Sequence, residues 1–467
     1  MTGGVRPWAA LAGLCTGILW GGSPFVFLSL GVGACAMAAR RKVWLRVVGV
    51  GLIGFACGSI VSSIRFPAAT ALERAAHSAP RCDVRTTVLE ELGGLGTLVA
   101  VDHLSCGATS VSDAGVAVVD DTEADPGALI AGSAWVLPLG DDDFDSARRN
   151  AGALARLDPI DVVVRAPDSP VHRLAAAYRS SLRRAVSGLE PRRAGLLLGL
   201  TIGETRGLDE TTVENFRRAG LSHLVAVSGS NVAIVIGAVL LIGSRWSRRA
   251  RLASAVAILA MFVLVVGPDP SVLRAAVMAG IMLLALRTGV TVDPLRALGL
   301  ALMVLMAIRP GLVSSVGLHL SAAATAGIVL LAGPIARRLT RLPRSAALAV
   351  GATLGAQLAV LPLLIAYFEQ IPLAGPIANL VAMPAVAPAT VLGLAGGAVG
   401  SVAPSLGGAA ARVAEPFAGM VLWSADTFGG APRAAIYAPA AAGWPTAAVV
   451  AALVALAARS TAPSGLT

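Results

Sequence analysis

Charge is scarce in this sequence. Only 14% of its 467 residues are Asp, Glu, Lys or Arg, where a soluble globular chain carries about 25%, and that excludes an ordinary soluble fold. The five cysteines form no C-x-x-C pair, and His77, His103, His172, His223 and His319 form no H-x-H pair, which excludes the commonest sequence-local metal sites. No G-x-x-x-x-G-K-[ST] stretch occurs, so nucleotide hydrolysis on a P-loop is excluded as an internal energy source. Aromatic residues amount to 4%. Acidic residues nearly vanish from the second half: after Leu221 only Asp269, Asp293, Glu369, Glu415 and Asp426 remain.

Apolar residues are what the chain has in abundance, at 56% with a mean hydropathy of +0.76. Several stretches exceed the roughly 18 apolar residues that mark a membrane helix. The fold class this predicts is an α-helical polytopic membrane protein with a small extracytoplasmic β (OB-like) domain. Residues 1–65 are expected to form N-terminal transmembrane helices, near 8–22, 24–39 and 44–63. The first apolar stretch runs into the second with no A-x-A-like site, which predicts a retained helix and not a cleaved leader. Later crossings are expected near 222–243, 252–267, 271–287, 294–308, 311–333, 345–367, 371–399 and 443–459. Segment 400–442, rich in Ala, Gly and Pro, resists assignment.

The charge is also unevenly placed. Residues 66–170 hold 17 acids and 7 bases, a net of −10 within a chain of net +10. An acidic insert in a basic, apolar body marks a separate water-exposed domain. Arg40, Arg41, Lys42 and Arg46 form one basic block, Arg245, Arg248, Arg249 and Arg251 a second, and Arg337, Arg338, Arg341 and Arg344 a third. By the positive-inside rule all three face the cytoplasm. The N-terminus is then cytoplasmic, and the insert lies outside a multi-pass protein of the cell membrane.

Cys15, Cys35 and Cys57 lie in apolar helices, where a lone cysteine is a small buried hydrophobe. Cys82 and Cys106 are the only two in the insert. An isolated pair in an oxidising compartment suggests a disulfide, with two free thiols the alternative. Candidate strands at 84–89, 97–102, 115–119, 133–137 and 160–164 are separated by Gly, Asp and Pro clusters. Five short strands suit an OB-type barrel, although propensity alone does not separate it from other small β folds. Segment 171–221 is read as amphipathic and interfacial. Its first helix, 171–189, either lies on a membrane surface or packs the barrel onto the membrane body.

Region 200–235 is the most informative. Asp209 is placed to N-cap a short helix running to Arg218, and Gly220 to end it. The apolar run 232–243 is too short to span alone. The crossing must therefore include Ser228-Gly229-Ser230-Asn231, which predicts a helix interrupted at membrane depth. Such a break is tolerated only in a protein interior or beside a wet cavity, and transporters bind substrates at such breaks.

Gly220-Leu221-Ser222-His223-Leu224, followed by Ala226, Ser228 and Gly229, resembles the signature of the ComEC-type competence channel family. Gly203-Glu204 precedes it at the familiar distance. Pro270-Ser271-Val272-Leu273-Arg274-Ala275 with Met278 is similar to the family's next signature. Arg309-Pro310 and Gly317-Leu318-His319-Leu320-Ser321 resemble a third, usually written D-P…G-F-Q-L-S. Gln357, Pro362, Asn379-Leu380 and Pro384 fit its late helices. The resemblance covers about 190–400 and implies a channel domain, over 222–460, that imports single-stranded DNA in natural transformation. Asn231 stands where members commonly have a second histidine. Many members also carry a C-terminal metallo-β-lactamase-like domain, and none follows before Thr467. The resemblance therefore implies no enzyme activity, no metal and no cofactor here. Its implied partners are single-stranded DNA, the lipid bilayer, a surface DNA receptor, a separate nuclease and a cytoplasmic DNA-translocating ATPase.

A polyanion crossing lipid needs positive charge and hydrogen-bond donors. The candidate path residues are Arg217, Arg218, His223, Ser228, Ser230, Asn231, Arg274, Ser321, Gln357 and Asn379. An arginine within a membrane helix is costly and therefore a functional candidate, although Arg274 has the alternative of snorkelling to the interface near Asp269. Ser228, Ser230 and Asn231 either line the path or join helices. Glu204 would repel phosphate and is read as a gate or an ion-pair partner. The nearest aromatics are Phe216, Trp246, Phe262 and Phe368, so backbone electrostatics should outweigh stacking. Two other classes remain open: a small-molecule transporter, and an intramembrane serine protease with Ser228 as nucleophile and His223 or His319 as base.

Overall fold

The computed structural model describes residues 72–443 and 446, apart from 79, 92–95, 108, 121, 123, 141, 143, 144, 146, 147, 150–152, 206, 226, 309–311, 313 and 314. The helices expected within 1–65, with Cys15, Cys35, Cys57 and the first basic block, lie outside the described residues. So do Arg309-Pro310 and, apart from residues 443 and 446, the crossing expected at 443–459. The chain forms two compact units, one of residues up to Ala176 with Ala260–Leu318, the other of Ala177–Leu259 with residues from His319 onward.

In the first unit, β1 (Arg81–Glu91), β2 (Thr97–Cys106), β3 (Thr109–Val119), β4 (Leu129–Leu137) and β5 (Ala155–Arg165) close into a barrel in the order β1-β2-β3-β5-β4. All pairs are antiparallel except β3–β5, where Ala117–Val119 run parallel to Ala155–Leu157. Strict alternation builds the core. On β1 Cys82, Val84, Thr86 and Val88 point inward, while Arg81, Asp83 and Arg85 face water. Val99, Val101, Leu104, Ala117, Val119, Ile130, Val136 and Leu157 fill the interior. The strands run longer than hydrophobic alternation suggested, because ladder hydrogen bonding continues through polar ends such as Thr109–Asp113. On β5, Pro159 sits at a register shift opposite Ala134, where its missing N–H is tolerated. A disulfide joins Cys82 to Cys106 across the β1–β2 hairpin, with Cα atoms 4.4 Å apart.

The helices follow as α1 (Pro170–Val186), α2 (Pro191–Ile202), α3 (Glu210–Arg218), α4 (Ser222–Val225), α5 (Gly229–Ile242), α6 (Arg248–Val266), α7 (Pro270–Thr288), α8 (Pro294–Ile308), α9 (Val316–Arg338), α10 (Arg344–Phe368), α11 (Gly375–Gly400) and α12 (Pro404–Gly429). Five of them, α6, α7, α9, α10 and α11, are long and apolar enough to cross a bilayer. The chain is a polytopic membrane protein with a small β domain. Two short strands, β6 (Gln370–Pro372) and β7 (Ala435–Tyr437), pair antiparallel.

In the first unit, the α6–α7 turn at Gly267 lies against the Leu89 carbonyl and Pro126 of the barrel. In the second unit, α12 occupies the segment that sequence left unassigned. Pro404 starts it, and Gly407, Ala411, Ala414, Ala418, Val421, Leu422 and Ala425 bury one helical face. Its charges are paired with α2: Arg192 donates to Asp426 at 3.0 Å and Arg193 to Glu415 at 3.4 Å. α1 packs on α11, with the Tyr178 hydroxyl donating to the Leu394 carbonyl and the Ser181 hydroxyl to the Gly397 carbonyl.

Candidate functional site

The second unit carries the interrupted crossing. Asp209 caps α3 by accepting from the Thr212 backbone N–H at 3.3 Å and from the Thr212 hydroxyl. The hydroxyl bond is the main reason its carboxyl sits below the usual range. α3 ends in a Schellman turn: the Leu221 N–H reaches the Phe216 carbonyl at 2.8 Å and the Gly220 N–H the Arg217 carbonyl at 3.1 Å. Gly220 has φ 67, and a Cβ there would sit 3.0 Å from the Pro372 side chain. Both geometry and space therefore select glycine.

After the single turn of α4 the chain is extended at Ser228 (φ −107, ψ 166), and α5 follows. Fourteen residues of α5 rise only about 21 Å, short of the roughly 30 Å hydrocarbon core. The polar stretch thus coincides with an interruption between α4 and α5. Helix α2 supports the break from behind. A Cβ on Gly199 would lie 2.7 Å from the Val225 carbonyl oxygen, so only glycine allows this approach. Asn231, 1% exposed, donates to the Leu200 carbonyl at 2.8 Å.

Polar side chains gather around the end of α3 and the turn into α4, just before this break. Arg217 donates to both Glu214 carboxylate oxygens, at 2.7 and 2.9 Å, to Gln370 Oε1 at 3.2 Å and to the Tyr437 hydroxyl at 3.3 Å. The Arg217 bond holds the Glu214 carboxyl below its ordinary range, and the same bond raises the guanidinium. Beyond Gly220, the Gln357 amide lies against Gly375. The His223 ring lies beside the Gly220 backbone and the Asn379 side chain. Asn379 in turn donates to the Thr353 hydroxyl at 3.1 Å. Helix α10 sets Thr353 and Gln357 one turn apart, and α11 does the same for Gly375 and Asn379.

The remaining candidates are placed as follows. Ser228 and Ser230 share a hydrogen bond of 2.5 Å. Arg218 donates to the Ala431 carbonyl at 3.2 Å. Glu204 accepts from Arg183 at 2.8 Å. Ser321 is partly buried on α9, its carbonyl accepting from Thr325. Arg274 belongs to the first unit, where it is 5% exposed and donates to Met278 Sδ at 3.2 Å. Asp269 caps α7 through the Ser271 and Val272 N–H groups. The contacts described give Ser228 no histidine: its hydroxyl meets Ser230, while His319 Nδ1 meets the Tyr367 hydroxyl at 2.8 Å. Sequence reasoning missed Thr353, Gln370, Tyr437 and Arg183, four residues outside the motifs whose roles come from distant partners.

Comparison with known proteins bears on the same region. A stretch of 97 residues is 32% identical to "ComE operon protein 3" of Bacillus subtilis (strain 168), covering 20% of this chain and 12% of that relative. No solved structure matches the chain. Residues 200–463, more than half of the chain and including the α4–α5 break and the polar side chains before it, match the family described as Competence protein; the chain belongs to the competence protein family.

Proposed function

We propose that this protein is a channel that takes single-stranded DNA across the cell membrane in natural transformation. The observation that carries the reading is the α4–α5 break beside gathered polar side chains, among helices that are otherwise apolar. Non-helical backbone at membrane depth must be buried in protein or line a wet cavity. His223, Gln357, Asn379, Ser228 and Ser230 are neutral hydrogen-bonding groups that would let a phosphodiester pass without trapping it. Arg217 and Arg218 supply positive charge at one end, and the N-terminus of α5 adds the favourable end of a helix dipole. Asn231 and Ser321 complete the polar set, and the Arg183–Glu204 pair is read as the gate.

Orientation draws on the first unit alone. The barrel touches the Gly267 end of α7, while Arg287 and Arg296 lie at the opposite end of α7 and the start of α8. By the positive-inside rule that basic end is cytoplasmic. The barrel, read as an OB-type module, is then extracytoplasmic, and the three helices expected within 1–65 would put the N-terminus in the cytoplasm. The protein is assigned no catalytic role. The partners this reading implies are a nuclease, a cytoplasmic DNA-translocating ATPase and a surface DNA receptor.

The test is transport by purified full-length protein in liposomes loaded with a DNA-binding dye. Labelled single strands should enter under a driving gradient, and duplexes of the same length should not. His223→Leu with Asn379→Leu should abolish entry without lowering the melting temperature. Entry unaffected by that double substitution would reject the proposed path.

A further inference from the structure

The sequence holds three tyrosines, and two of them, Tyr367 and Tyr437, are exposed in one part of the second unit. Tyr367 is the penultimate residue of α10, is 43% exposed, and lies three positions before β6; Tyr437, 68% exposed, pairs with Gln370 across the β6–β7 ladder. Neither hydroxyl is left to water alone. That of Tyr367 is bonded to His319 Nδ1 at 2.8 Å, and that of Tyr437 accepts from Arg217 at 3.3 Å. The His319 and Tyr367 rings are nearly parallel (18°), with centroids 6.0 Å apart. The near-parallel pair is tied together by the His319–Tyr367 hydrogen bond. Phe368, 47% exposed, stands edge-on to Tyr367 with centroids 6.5 Å apart.

An aromatic belt at the membrane interface uses its polar tips to reach water and headgroups. Here protein partners hold both tips, and Tyr367 and Tyr437 still leave 43% and 68% of their surface exposed. An arginine stands at the Tyr437 hydroxyl, supplying positive charge next to π surface. Flat rings beside a cation are the combination that holds unpaired bases and their phosphates.

We propose that His319–Tyr367, with Phe368 and with Tyr437 beside Arg217, is a stacking ledge for the bases of single-stranded nucleic acid at the mouth of the path. This rests on the functional reading above and adds a base-dependent component to it. Duplex bases, already stacked, have no face to give, so the ledge selects single strands.

The experiment compares two fluorescent probes on full-length protein in nanodiscs at fixed salt: a twenty-nucleotide oligo(dT), and an abasic phosphodiester of equal length and charge. Tyr367→Leu and Tyr437→Leu should each weaken oligo(dT) binding by about tenfold and leave abasic binding unchanged. Tyr367→Phe, which keeps the ring, should stay near wild type. Equal loss for both probes, or no loss for either, overturns the ledge and returns these rings to a structural or interfacial role. Wild-type protein that binds both probes equally also overturns it while leaving DNA binding intact. Wild-type protein that binds neither probe removes the functional reading, and the ledge falls with it.

Discussion

The buried Asn231 side chain donates to the backbone carbonyl of Leu200, 2.8 Å away on α2. Leu200 is in the last turn of α2, where carbonyls have no partner within their own helix; the turn closes with the Gly203 N–H on the Gly199 carbonyl. Asn231 thus caps α2 from across the break and fixes where α5 begins. Asn231→Leu removes the donor and strands a buried carbonyl, at a cost of about 1–3 kcal/mol. Thermal unfolding of the purified variant should show that loss. A melting temperature equal to wild type would remove the capping role and leave Asn231 to the path alone.

The break was legible because its composition conflicts with its position: Ser228, Gly229, Ser230 and Asn231 interrupt a run that must cross lipid. Gly220 was legible for the same kind of reason, since a capped helix followed by glycine has few other readings. α12 was not legible. Its hydrophobicity is diluted by alanine and glycine, and it carries Arg412, Glu415 and Asp426. Only partners some 200 residues earlier, Arg192 and Arg193, make two of those charges acceptable in a packed helix. The strand interiors of the barrel could be read from alternation, but their polar ends could not. Arg217 was visible as a charge next to a break. Its attachment to Glu214, Gln370 and Tyr437 depends on a turn and a two-stranded ladder that no local pattern announces.

The Cys82–Cys106 disulfide closes a loop with a sequence separation of 24. On the chain-entropy model such a link contributes about 3 kcal/mol. Cys82→Ser with Cys106→Ser should lower the unfolding free energy of the full-length protein by about that amount. The pair also reports orientation. On intact cells a membrane-impermeant maleimide should label wild type only after reduction, and should add nothing in the double-serine variant. Labelling that requires opening the cells would place the barrel in the cytoplasm.

α3 lies outside the five long spans, and its carboxylates set a pH dependence. Glu214 is held below its ordinary range chiefly by the Arg217 hydrogen bond, and Asp209 chiefly by that of Thr212. A carboxylate depressed in the folded state stabilises it fully above the unfolded value, about 4, and loses that contribution as pH falls through the folded value. The local stability of α3 should therefore be flat from pH 8 to about 5 and decline below about 4. Hydrogen exchange on residues 209–218 measures it directly. Glu214→Gln and Asp209→Asn together should flatten the acid limb; an unchanged limb would mean other groups control it.

Arg217 separates electrostatic capture from scaffolding. Its guanidinium is engaged by both oxygens of Glu214, and a phosphate must share it with that carboxylate. Arg217→Ala should weaken single-strand binding by the full-length protein and flatten the log–log salt dependence by about 0.7, the contribution of one phosphate contact. Glu214→Gln should act in the opposite direction, because it keeps the arginine and removes the competing negative charge. A purely structural pair predicts instead that both substitutions weaken binding together and leave the salt slope alone. Titrating oligo(dT) against wild type and the two variants at several salt concentrations distinguishes the cases. Tighter binding in Glu214→Gln with a flatter slope in Arg217→Ala would put Arg217 on the phosphate backbone. Parallel loss in both variants would confine it to holding α3 against β6 and β7.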